Sequence, residues 1–116
     1  MIVSERFLDM DATTQVLSVA SNLSRVASHL ERPPQEGHAH IVQLFLGQSV
    51  AYIGLMLRQG LSDNMQSALV ELLPLLGGWV SVGNVDNQVD REQMVRDLRI
   101  WGERLMTLAG AAVVRV

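Results

Sequence analysis

The chain has 116 residues, a net charge of −3, 48% hydrophobic residues and only 18% charged ones. That length fits one domain, and the balance excludes disorder over most of it. All nine basic residues are arginine, scattered rather than in a run, and there is no cysteine; nucleic-acid binding, disulfides, thiolate metal sites and a cysteine nucleophile are therefore excluded.

Residues 1–10 read as an N-terminal arm with an apolar cluster of Ile2, Val3, Phe7, Leu8 and Met10. The arm has no long apolar run and sets Glu5 beside Arg6. It does not have the pattern of a signal peptide, and a cytoplasmic protein is expected. Residues 11–116 read as a single four-helix domain.

Asp11 is a candidate N-cap for a first helix over 12–31, which Pro33-Pro34 ends by removing a backbone donor. Val19-Ala20-Ser21-Asn22-Leu23 returns seven residues later as Val26-Ala27-Ser28-His29-Leu30. The seam Ala12, Val16, Val19, Leu23, Val26 and Leu30 suits packing against a second helix.

A second helix is expected over 35–59, closed by Gly60 in the left-handed position. A third follows over 63–82, capped by Ser62 or Asp63. Only Arg58, Asp63 and Glu71 are charged between Gly37 and Val85. Both helices are apolar in nearly all directions, and such a helix is buried all round or meets lipid. Four helices cannot surround two of their own number in a domain this small. Pro74 and Gly77-Gly78 predict a kink in the third helix.

Asp86 or Asp90 opens a fourth helix that runs to Gly110 or further, with capping-box spacing between Asp90 and Gln93. Its seam is Val95, Leu98, Gly102, Leu105, Ala109 and Ala112. Glu92, Arg96, Arg99 and Glu103 form a solvated stripe of acid–base pairs one turn apart. No segment outside the Val113–Val116 tail alternates as a strand does. The fold class is all-α, an antiparallel four-helix bundle with an N-terminal arm. The second and third helices form an apolar hairpin, and the first and fourth flank it.

Two constellations bear on function. Glu36, His38 and His40 lie at the turn into the second helix, where His29 and Glu31 could join them. Two imidazoles and a carboxylate can hold zinc or iron. His-x-His spacing, however, does not align two ligands on one helical face. A polar exposed turn is the expectation, and a metal- or small-ligand-binding bundle the alternative. Gly47, Ala51 and Gly54 step by four and three along the second helix. Small residues at that spacing let two backbones approach closely, in one chain or between two. Glu71 is read as the water-facing residue of the third helix, or as the partner of an arginine such as Arg58.

No catalytic grouping, phosphate loop or cofactor motif is present, so no cofactor is expected. The apolar hairpin exceeds what one copy can bury. The sequence therefore predicts a non-catalytic interaction module, an adaptor, chaperone-like or regulatory protein acting as a homodimer. The expected interface residues are Gly47, Val50, Ala51, Ile53, Gly54, Leu72, Leu76 and Trp79. A membrane-associated hairpin is a further alternative. It is weakened by Gln43, Gln48 and Ser49 in the second helix and by Glu71 in the third.

Overall fold

The structure, a computed structural model, describes residues 9–32, 38–82 and 88–114. Four helices account for nearly all of these: α1 (Ala12–Glu31), α2 (His38–Leu57), α3 (Asp63–Val82) and α4 (Gln88–Val114). There is no strand among the described residues. Residues 1–8 of the expected arm, the Pro33-Pro34 turn and Asp86 lie outside them.

Local chemistry sets the helix ends. Asp11 has extended backbone, and its carboxylate accepts the Thr14 N–H at 2.7 Å. Its own carbonyl takes the first helical bond, from Gln15 at 2.9 Å. Those two bonds are what an N-cap supplies. The Thr14 hydrogen bonds hold the Asp11 carboxyl below its ordinary pKa. Ser62 plays the corresponding part for α3, its carbonyl accepting from Gln66 N–H at 2.9 Å. Between α2 and α3 the chain turns at Gly60, where φ is +74°. A side chain is strained there, and glycine is not.

One sequence expectation about a helix end changes. Asp90 lies inside the first turn of α4 rather than at its cap. Gln93 does not complete a capping box; it donates to Asp97 at 3.0 Å and accepts from Arg96 at 2.8 Å. Pro74 lies inside α3, which runs on to Val82 as the sequence predicts. Pro74 and Val70 are both exposed, so water can solvate the Val70 carbonyl that proline leaves without a partner.

The core is aliphatic. From α1 it takes Val16, Val19, Leu23, Val26 and Leu30, the sequence seam less its exposed first member, Ala12. From α4 it takes Met94, Leu98, Trp101, Leu105 and Ala109. Val42, Leu46, Ile53 and Met56 of α2, and Met65, Leu69, Leu72 and Leu76 of α3, complete it. Burying each of the Val, Leu, Ile and Met side chains contributes about 1.5–3 kcal/mol.

The pairing of helices differs from the expected hairpin with two flanks. The most extensive packing is α1 against α4, followed by α1 against α2 and α2 against α3. Contact between α3 and α4 is light. Ala20 and Ala27 stand among the buried residues of α1, and Gly102 among those of α4. A Cβ added at Gly102 would sit 4.0 Å from the Ala20 carbonyl oxygen. That is ordinary van der Waals contact, so the crossing of α1 and α4 has room for a small side chain at 102. Polar and aromatic contacts tie α1 to α2: Asn22 donates to Gln48 at 3.0 Å, and Arg25 lies 5.5 Å over the Phe45 ring.

Candidate functional site

The expected interface residues separate into two sets. Ile53, Leu72 and Leu76 are fully buried in the subunit's own core. They cannot line an interface, because their apolar surface is already used; this corrects the sequence expectation for those three. Gly47, Val50, Gly54 and Trp79 are half-buried, and Ala51 is exposed.

Helical geometry explains the division. Val42, Leu46, Ser49, Ile53 and Met56 step by 4, 3, 4 and 3 and form the buried side of α2. Ser49 is accommodated there because its hydroxyl donates to the Phe45 carbonyl at 2.9 Å. Turning half way round the helix gives His40, Leu44, Gly47, Ala51, Gly54 and Arg58, which step by 4, 3, 4, 3 and 4. So α2 carries two seven-residue seams, one facing the core and one facing outward.

No atom among the described residues stands against the glycines of the outward seam: a Cβ at Gly47 or Gly54 would find none within 4 Å, so the close crossing expected at these glycines is not made among the described residues. Leu44 is 57% exposed. Within the 18-residue stretch His40–Leu57, of mean hydropathy 1.4, only 28% of residues are buried. On α3, Val70 and Leu75 are 53% and 43% exposed and flank the line Glu71, Pro74, Gly78.

Glu71 is exposed and pairs with Arg104 of α4 at 3.2 Å, not with Arg58. Arg104 also lies 4.5 Å over the Trp101 ring. One arginine thus bridges the lightly packed side of the bundle.

Of the side chains expected to share the histidine turn, His29, Glu31 and His40 are described; Glu36 and the His38 side chain are not. His29 stacks on Phe45 with ring centroids 6.5 Å apart. Glu31 is ion-paired with Arg99 of α4, and His40 is exposed. No group of three His, Asp or Glu among the described residues could hold a metal ion.

That same Glu31–Arg99 pair marks a feature the sequence reading did not assemble. An open cleft of about 740 Å³ lies between the end of α1 and the first three turns of α4. It is lined by Leu30, Glu31, Arg32, Arg91, Glu92, Val95, Arg96 and Arg99. Arg96 and Arg99 were expected to pair within α4. Arg96 instead bonds to Gln93, and Arg99 reaches across to Glu31. The only sequence signal for the cleft is the recurrence of arginine at 91, 96 and 99, which reads equally as a wet helix face.

Comparison with protein-family models, curated proteins and solved structures finds no match for this chain.

Proposed function

We propose that this protein is a non-catalytic helical interaction module that acts as a homodimer through the outer face of α2. The observation that carries the reading is the outward seam, apolar and small, with no charge between His40 and Arg58 and, among the described residues, no atom within 4 Å of a Cβ at Gly47 or Gly54. An uncharged seam suits a two-fold contact, because the same patch must face itself without like-charge repulsion. Gly47, Ala51 and Gly54 allow the two backbones to approach, and Leu44 supplies the apolar anchor. Leaving the seam in water would expose a contiguous apolar strip, which is characteristic of an interaction surface.

Lipid is the rival occupant, since His40–Leu57 is long and apolar enough to span. Against it, Gln48 and Ser49 lie midway along α2, with Gln48 tied to Asn22 of an amphipathic neighbour. Light scattering on the size-exclusion peak at micromolar concentration tests the reading. The wild-type chain elutes with the mass of two subunits. Leu44→Glu, which changes an exposed residue, elutes as a folded monomer by circular dichroism. A wild-type monomer, or wild-type protein recovered only with the bilayer fraction, overturns the homodimer.

A further inference from the structure

We propose that the two copies of α2 run antiparallel and cross at the level of Ser49, each subunit's Leu44 seated over the partner's Gly54. The register rests on the homodimer reading above and makes it specific. The outward seam consists of His40, Leu44, Gly47, Ala51, Gly54 and Arg58, and its steps of 4, 3, 4, 3 and 4 read the same from either end. A two-fold axis level with Ser49 therefore pairs 40 with 58, 44 with 54 and 47 with 51. No member of the seam is left without an opposite.

Size and charge select this arrangement over the parallel one. Leu44 is the large apolar member of the seam and is exposed. Gly54 has open space where a Cβ would stand, among the described residues, and so offers a notch. Antiparallel pairing puts a leucine over a notch twice, by symmetry. It also sets Gly47 against the partner's Ala51, where small residues let the backbones come nearest. Parallel pairing sets Leu44 against the partner's Leu44, which holds the helices apart beside the glycines. It further sets Arg58 against the partner's Arg58, a like-charge contact that disfavours the pair. In the antiparallel pair Arg58 meets the partner's His40 instead, and the two guanidinium groups lie about 27 Å apart along the axis.

Disulfide capture tests the register, since the chain has no cysteine of its own. Leu44→Cys and Gly54→Cys chains, each checked for helix by circular dichroism, are oxidised with copper phenanthroline singly and as an equal mixture. Thiols join when their Cα atoms lie within about 7 Å. In the antiparallel pair each position lies about 15 Å along the axis from its own counterpart, so only the mixture gives covalent dimer on a non-reducing gel. Gly54→Leu, which fills the notch, weakens the dimer about tenfold by sedimentation, and adding Leu44→Gly to the same chain restores it. Covalent dimer from Leu44→Cys alone marks a parallel pair; it overturns the register and leaves the homodimer standing. A wild-type dimer by light scattering with no covalent product in any sample moves the contact off this seam and overturns the register too. A wild-type monomer overturns both the homodimer and its register.

Discussion

Leu72 and Arg99 mark the two extremes of what one residue contributes here. Leu72 is fully buried in the core. An aspartate in its place loses apolar burial, about 2–5 kcal/mol for a truncated leucine. It also buries a carboxylate with no partner, at a further cost of several kcal/mol. Together these approach the whole stability of a domain, about 5–15 kcal/mol. Leu72→Asp, and Ile53→Asp for the same reason, should therefore give no cooperative thermal transition. Arg99 is about half exposed and its ion pair with Glu31 lies at the surface, where such pairs contribute about 0–1 kcal/mol. Arg99→Ala should shift the urea midpoint only slightly. Gly60 lies between these extremes. Space is open around it, so Gly60→Ala should lose about 1 kcal/mol from backbone strain alone.

At the scale of the element, α1 and α3 begin and end where the sequence places them because their boundaries are written in adjacent residues. Asp11 and Ser62 make the first helical bonds themselves. The α1 seam is legible for the same reason, since one helix's periodicity needs no knowledge of its neighbours. Pairing is a different matter. That α1 packs chiefly on α4 appears only when two distant segments cross. Glu71 illustrates the limit: Arg58 is nearer in the chain, but the fold supplies Arg104. The arginine cleft was hidden likewise, being assembled from the end of one helix and the start of another. For α2 the outward seam makes a prediction of opposing signs. Gly47→Ala and Gly54→Ala each add a methyl group into open space in the subunit and remove a helix penalty of about 1 kcal/mol. The monomer, measured at high dilution, should become more stable. The dimer, measured by sedimentation, should dissociate about tenfold more readily as the added Cβ atoms separate the two helices. A gain in both would mean that the glycines face no second helix.

For the whole molecule, a homodimer ties stability to concentration. When dissociation and unfolding are one event, each tenfold increase in protein adds about 1.4 kcal/mol to the folded dimer. Two subunits of 116 residues carry an unfolding entropy that converts this into about 3 °C of Tm per tenfold. Heating the wild-type chain from micromolar to about a hundredfold higher concentration should therefore raise Tm by about 6 °C. Leu44→Glu should remove that slope and keep the helical signal, because the core residues Val42, Leu46, Ile53 and Met56 lie on the opposite side of α2. The contrast matters more than either value. A core lesion lowers Tm at every concentration, whereas loss of the outer contact flattens the dependence and leaves the dilute protein as it was. A wild-type Tm that stays constant across the range would mean that the outward seam of α2 faces water in the working protein.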